Sequence, residues 1–280
     1  MKSFFRYPGG KAKFSKYILG ALAEFGPRLE YREPFVGGAS IGLKFIQDDA
    51  ITSARLNDLD LGIYALWKSV AAHPAELKEK VLRFTPSVTA FDDAKAFLKM
   101  EITPVSPEEI VETGFNKLVV HQLSYSGLGL KSGGPLGGRK QDSETRYPID
   151  CRWSPEYVCK KIDVLYEHFS KKGTVNITHE DFAEVIHQDG NRVVMYLDPP
   201  YYDKGGEVYF KGFDDADHVR LMWCLRSTPH DWVLSYDNCS FIHDLYDKWA
   251  DVRMISGNYS INTGRQRTEL LILKPKSIGV

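Results

Sequence analysis

The stretch Arg192-Val193-Val194-Met195-Tyr196-Leu197-Asp198-Pro199-Pro200-Tyr201 decides how this chain is read. Residues 192–197 form a largely apolar, β-branched run of strand length, as expected of a parallel strand buried on both faces. Asp198 stands where that strand ends, and open α/β sheets bind their ligands at the carboxyl ends of their strands. Two consecutive prolines stiffen the turn and remove two backbone donors. The segment therefore offers acceptors, namely the Asp198 carboxylate and the Pro199 carbonyl. Such a turn suits an exocyclic NH2 group, a poor nucleophile while its lone pair is delocalised into a ring. Holding both hydrogens draws the nitrogen toward tetrahedral geometry and aims the lone pair at an electrophile. Tyr201 adds a flat face for a base turned out of its stack. A strand ending in a solvent-facing proline turn would carry the same letters, so a donor site elsewhere in the chain has to support the chemical reading.

Toward the N-terminus, Glu33-Pro34-Phe35-Val36-Gly37-Gly38-Ala39-Ser40 follows a strand expected over residues 31–36 and leads into a helix. Its glycines permit a sharp turn and close approach of backbone to a ligand, although the G-x-G-x-x-G spacing of dinucleotide sites is missing. A second strand over residues 51–56 runs into Asn57-Asp58-Leu59-Asp60. Asp58 lies about twenty residues beyond the glycines, where a carboxylate would hold ribose hydroxyls. The same cluster can instead cap the helix that follows. At the start, Arg6-Tyr7-Pro8-Gly9-Gly10-Lys11 joins an aromatic, a double glycine and a cation, and residues 1–17 hold Lys2, Arg6, Lys11, Lys13 and Lys16 without an acid. This segment can meet a carboxylate or a phosphate, or form a solvated basic lead into an amphipathic helix over residues 14–25.

Together and in this order, the three motifs resemble the D12 class of DNA adenine-N6 methyltransferases, the Dam-like family, in its alpha arrangement of donor site, target-recognition insert and catalytic tetrapeptide. The resemblance covers nearly the whole chain. It implies an α/β fold: a class I Rossmann-like methyltransferase sheet, mostly parallel with an antiparallel last strand, carrying a mainly helical insert. The expected division is residues 1–62 and 152–280 for the catalytic domain and residues 63–151 for target recognition. The implied cofactor is S-adenosyl-L-methionine, with Tyr7 and Lys11 touching it, Phe35 and Gly37 lining its pocket and Asp58 on its ribose. Asp181, after the third strand, would sit by its adenine with Phe182 packed on the ring. Asp198, Pro199, Pro200 and Tyr201 would form the catalytic turn, Asp198 also facing the donor. Two departures stand out: the family often has Trp where this chain has Tyr7, and Gly-Ala-Gly where it has Gly37-Gly38-Ala39.

The insert is expected to hold helices over residues 63–84, 92–100 and 108–123, with Pro104 and Pro107 breaking the chain between the last two. The glycine-rich residues 126–138 read as too polar and flexible for a core. In the family the matching segment enters DNA, which implies His121, Gln122, Ser124, Tyr125 and Ser126 as candidate base readers. Gln122 and Arg139 suit adenine and guanine edges, or a phosphate, with Lys140 beside them; His121 reads equally as a packed helix residue. Further on, a helix over 152–170, a strand over 174–178, a loop over 202–212, a helix over 217–227, a strand over 232–235 and a helix over 240–249 are expected. The loop either closes over the target base or merely connects. A closing hairpin of strands over 252–259 and 269–274 carries Arg265 and Arg267 at its tip as DNA-phosphate contacts.

At 280 residues, 43% hydrophobic and 26% charged, the chain can bury the core of one α/β domain with a smaller insert. The net charge of −1 places any DNA face in local asymmetry, and residues 116–172 hold ten Lys/Arg against six Asp/Glu. No apolar run is long enough for a membrane and no signal-peptide core precedes the first motif, so a cytoplasmic location is expected. Cys151, Cys159, Cys224 and Cys239 lack metal or disulfide spacing; reduced, buried thiols and no bound metal are expected. Double-stranded DNA is the implied partner, and a cognate restriction endonuclease is left open. Methylation of RNA or of a protein amide nitrogen, a binding module without catalysis, and a nucleotide-dependent oxidoreductase are the competing readings.

Overall fold

The computed structural model describes residues 3–7, 10–47, 51–127, 129–131, 133–171, 175–202, 212–257 and 267–275. Strands β1 (Glu30–Glu33), β2 (Ser53–Asn57), β3 (Val175–Thr178), β4 (Val193–Leu197), β5 (Asp231–Asp237), β6 (Asp251–Gly257) and β7 (Arg267–Leu273) form one seven-stranded sheet in the order β3-β2-β1-β4-β5-β7-β6. The first five strands pair in parallel, and β7 runs antiparallel between β5 and β6. The expected mostly parallel sheet with an antiparallel last strand is therefore present. Strand order reverses between β1 and β4, which leaves a crevice at their carboxyl ends.

Alternation across the central strands explains their apolar sequences. Val194 and Tyr196 of β4 enter one core, while Val193, Met195 and Leu197 enter the other. On β7, Leu271 and Leu273 face the first core and Leu270 and Ile272 the second. With both faces covered, neither side of these strands can be polar. Helices α1 (Ser15–Ala23), α2 (Gly42–Ile46), α3 (Leu61–Ala72) and α7 (Pro155–Lys171) cover the first face, and α8 (Phe182–His187), α9 (Asp215–Ser227) and α10 (Ser240–Tyr246) the second.

Between α3 and α7 lie α4 (Pro74–Arg83), α5 (Val88–Lys99) and α6 (Pro107–Leu123). Their apolar faces are continuous with the first core. The single helix expected over residues 63–84 is two helices: Pro74 starts α4 in its first turn, and His73 before it takes an extended, non-helical φ of −134°. Ser106 and Glu109 close a reciprocal capping box ahead of α6, with Pro107 in the first turn. Gly114 lets α6 cross α3 closely, since a Cβ there would stand 2.7 Å from the Ala65 carbonyl oxygen. The boundary expected at residue 62 falls in the first turn of α3, whose Trp67 is fully buried against the catalytic core.

The glycine-rich stretch departs from its reading as pure surface. Ser124 bridges Pro135, the Tyr125 amide donates to the Gly134 carbonyl, and the Leu136 amide donates to the Leu123 carbonyl at 2.7 Å. This return carries Leu136 to full burial. The thiols also vary, with Cys224 buried, Cys159 and Cys239 half-buried and Cys151 exposed. Of the expected loop over 202–212, residues 203–211 lie outside the described residues, as does Arg265. Among the described residues, no helix is long and apolar enough to cross a membrane.

Candidate active site

A cavity of about 350 Å³ opens at the carboxyl ends of the central strands, walled by the glycine turn after β1, the acids after β2 and β3, and the turn after β4. The end of α5, through Phe97, Leu98, Glu101 and Ile102, forms part of the same wall.

The glycine turn is fixed at both backbone polar groups of Gly37. The Gly37 amide donates to Asp58 Oδ2 at 2.8 Å, and its carbonyl accepts from the Trp67 indole N–H at 2.8 Å. Gly37 has a φ of +42°, and a Cβ there would lie 2.5 Å from the Tyr7 ring, so Tyr7 rests directly on the turn. Ala39 also takes a positive φ of 53°, which is the position where the family often has glycine. Asn57, fully buried, donates to the Pro34 and Glu180 carbonyls and accepts from the Glu180 amide and the Thr178 hydroxyl. Its four bonds tie the ends of β1, β2 and β3 together.

The helix-capping role belongs to Asp60, whose Oδ1 accepts from the Ile63 amide, while Lys117 of α6 pairs with Oδ2 at 2.6 Å. Burial raises the Asp60 pKa, but Lys117 outweighs it and holds the carboxyl below its ordinary value. Asp58 accepts instead from the Gly37 and Asp60 amides and is pushed up to about 7, by burial first and then by the charge of Asp60. Each carboxylate oxygen keeps acceptor capacity toward the cavity it lines.

Asp181 caps α8 through the Ala183 amide and holds Arg220 of α9 in a two-pronged pair at 2.8 and 2.9 Å. Burial raises its pKa, yet the Arg220 bonds bring it below the ordinary carboxylate value. The Arg220 guanidinium lies 4.1 Å from the Phe182 ring centre, and Phe35, Phe182 and Phe213 form a mutual cluster of tilted and T-shaped rings.

On the turn after β4, Asp198 Oδ1 pairs with Lys11 Nζ at 2.8 Å. Burial raises the Asp198 pKa and Lys11 opposes the rise, so the cation is what favours the ionised, hydrogen-accepting form. Lys11 is 3% exposed and sits 4.6 Å over the Tyr201 ring, so it reaches the turn after β4 rather than projecting into solvent. The Tyr201 hydroxyl donates to Glu269 of β7 at 3.0 Å. Pro200 lines the cavity, and Pro199 is buried beside it. Glu33, in the first motif, is buried and accepts from the Tyr31 hydroxyl at 3.1 Å. Burial lifts its pKa well above the carboxylate range, with Asp198 and Asp58 adding to the rise.

The structure thus brings Tyr7, Phe35, Gly37, Asp58, Asp181, Phe182, Asp198 and Pro200 to one cavity, with Lys11 against Asp198 and over the Tyr201 ring. Glu33, Lys117, Phe213, Arg220 and Glu269 join them although no motif reading singled them out. Glu33 stood inside a quoted motif; the other four lie on elements with no local signature.

The candidate base readers are not brought together. His121, Gln122 and Ser124 are 2%, 7% and 0% exposed, so none of the three presents its side chain at the surface of the free chain. Burial pushes the His121 pKa down to about 3, keeping the ring neutral. Tyr125 is 70% exposed and Ser126 is exposed beside it. Arg139 pairs with Asp92 of α5 at 2.8 and 3.1 Å, and Lys140 with Asp142 at 3.1 Å, all on the surface. Arg267 begins β7.

A sheet in this order with only β7 reversed, a glycine turn after β1, an acid after β2 and an Asp-Pro-Pro-Tyr turn after β4 define a Rossmann-like methyltransferase. Comparison with known proteins agrees. The chain belongs to the D12 class N6 adenine-specific DNA methyltransferase family, whose model matches residues 7–261. It is also similar to the type II methyltransferase M.CviBI of Paramecium bursaria Chlorella virus NC1A, 23% identical over 282 residues that cover 96% of each chain. The protein is an adenine-specific DNA methyltransferase.

Proposed function

We propose that this enzyme transfers the methyl group of S-adenosyl-L-methionine to N6 of an adenine turned out of duplex DNA, at a specific sequence. The observation that carries the reading is that Asp58 and Asp198 line one cavity, placing ribose-type acceptors and amine-type acceptors within the same crevice. The cavity suits the donor: a glycine turn without side chains, a Phe35–Phe182 aromatic wall and an acid beyond each of β2, β3 and β4. Tyr7, Phe35, Gly37, Asp58, Asp181 and Phe182 would hold it. S-adenosyl-L-methionine supplies an electrophilic methyl group on a sulfonium.

The chain's own part follows from Asp198. Its carboxylate and the Pro199 carbonyl accept the two amine hydrogens and turn the lone pair outward. Lys11, at 2.8 Å, opposes the burial that raises the Asp198 pKa and so favours the ionised form, the stronger acceptor. After transfer the nitrogen is acidic, and its proton passes to Asp198 or to water. Residues 63–151 are assigned to target recognition, with Tyr125 and Ser126 at the DNA and Arg139, Lys140, Arg265 and Arg267 on phosphates or base edges. Residues 1–62 and 152–280 form the catalytic domain. The type II name of the viral relative supports a site-specific modification enzyme here, with a cognate endonuclease as a further partner.

The test is expression in a host lacking adenine methylation, followed by modification-sensitive sequencing. N6-methyladenine at one recurring word, lost with Asp198→Ala, is expected; its absence at every word refutes the reading. Calorimetric titration with S-adenosyl-L-methionine against NAD separates the enzyme classes independently of DNA.

A further inference from the structure

Residues 124–127 form a small arch at the end of α6. The Gly127 amide donates to the Ser124 hydroxyl at 3.0 Å, and that hydroxyl donates to the His121 carbonyl at 3.4 Å. Tyr125 and Ser126 stand exposed at its crown. Both feet are held from inside. Arg6 donates to the Ser124 carbonyl at 3.0 Å, and the His121 ring donates from Nδ1 to the Gly127 carbonyl at 2.9 Å.

The groups holding the arch sit directly behind the donor cavity. Tyr7, one residue beyond Arg6, lines the cavity and lies on Gly37. Its ring packs on His121 at 5.5 Å between centres, inclined by 31°, and Phe5, which also touches Tyr7, meets that imidazole edge-on at 5.5 Å. Gly129 closes over the ring: with φ +58°, a Cβ there would stand 3.0 Å from His121 Nε2. That Nε2 is buried without a hydrogen-bond partner. A phenyl ring would fill the same slot without an orphaned acceptor, so what imidazole alone contributes is the Nδ1–H bond to Gly127.

We propose that His121 is a positioning residue that links donor binding to the DNA-facing arch, through the contact series Gly37–Tyr7–His121–Gly127. Occupation of the cavity presses Tyr7 against the glycine turn and so fixes the imidazole, which fixes one foot of the arch and the orientation of Tyr125. Coupling of this kind is reciprocal, so a duplex held by the arch tightens donor binding by the same factor. The proposal rests on the donor and DNA assignments above.

The test needs no knowledge of the recognised word. Hydrogen exchange of the amides of residues 122–127 is measured on the full chain with and without saturating S-adenosyl-L-methionine, alongside calorimetric donor affinity. In the wild type, donor binding slows exchange at Tyr125 and Gly127 by about tenfold, within the usual range of such couplings. In His121→Phe the slowing falls below about twofold while donor affinity stays within about threefold of wild type. Arg6→Gln, which cuts the other foot, reduces the slowing too and serves if the first variant melts early. Full slowing retained in His121→Phe, or donor bound by wild type with no slowing, overturns the link. A loss of donor affinity beyond about tenfold in His121→Phe also overturns it, because the residue would then belong to the donor pocket itself. No donor binding by the wild type would sink the donor assignment, and the link with it.

Discussion

Replacing Asp58 by Asn separates two effects that the native residue combines. Burial, reinforced by the charge of Asp60 and opposed by the amides of Asp60 and Gly37 and by Lys117, lifts the Asp58 pKa from 3.8 to about 7. The folded chain thus holds this proton more tightly than the unfolded chain does. The stability it contributes is full at low pH and is lost as the pH rises through about 4 to 7. A displacement of that size is worth about 4 kcal/mol. Because the carboxylate opens onto the cavity, solvent screening brings the working figure to about 2 kcal/mol. Asp58→Asn should therefore be about 2 kcal/mol more stable than wild type near pH 8 and about equal near pH 4, as measured by urea unfolding at the two pH values. Donor binding should move the other way. An ionised acceptor strengthens each ribose hydrogen bond to about 1.5–3 kcal/mol, so Asp58→Asn loses about 10- to 100-fold in affinity near pH 8. The wild type itself should weaken about tenfold between about pH 8 and pH 6, while the variant stays flat. Asp60, held low by Lys117, does not titrate in this window. Calorimetry with S-adenosyl-L-methionine decides: a wild-type affinity that ignores pH, or a variant that binds as tightly as wild type near pH 8, refutes the reasoning.

Lys11→Met removes the cation that favours ionised Asp198; single-turnover methylation should drop about 100-fold near neutral pH and recover toward alkaline pH, and the fold should lose about 3 kcal/mol. A pH–rate profile parallel to wild type would contradict this. Gly37→Ala drives a methyl group to 2.5 Å from the Tyr7 ring at a φ of +42° and should cost donor affinity about tenfold or more, whereas Gly133→Ala, with nothing within 4 Å, should stay within about 0.5 kcal/mol of wild type in melting. Asp181→Asn keeps an acceptor for the Ala183 amide but loses the Arg220 ion pair. Stability should fall by no more than about 1 kcal/mol, since the pair is half exposed, while donor affinity falls about tenfold; equal losses in both measurements would assign Asp181 a purely structural part.

The central strands were legible because burial on both faces leaves an unbroken apolar run, as in residues 193–197, and no other element of that length tolerates one. The catalytic and donor motifs were legible for a related reason: each occupies the carboxyl end of a parallel strand, where chain order and spatial order coincide. The insert was harder. Apolar spacing continues across Pro74 because proline is compatible with a first helical turn, so periodicity alone runs α3 and α4 into one helix. Leu136 reads as surface among glycines, and only the Ser124–Pro135 bridge returns it to the core. Arg220 and Glu269 reach the site from α9 and β7, where a single charged residue looks like any solvent-facing one.

The residues expected as readers on α6 share one physical setting. From Phe115 onward nearly every residue of α6 is buried, polar ones included. A polar side chain buried on such a helix must find a partner inside. Lys117 finds Asp60, which caps α3 next to Asp58, and His121 finds Gly127 at the foot of the exposed Tyr125 arch. Both partners belong to segments outside the helix, one on the donor side and one on the DNA side. The polar residues of α6 therefore fasten the helix to the segments carrying Asp60 and Gly127, and on the proposed function substitutions there should alter the coupling of donor and DNA before they alter the recognised word.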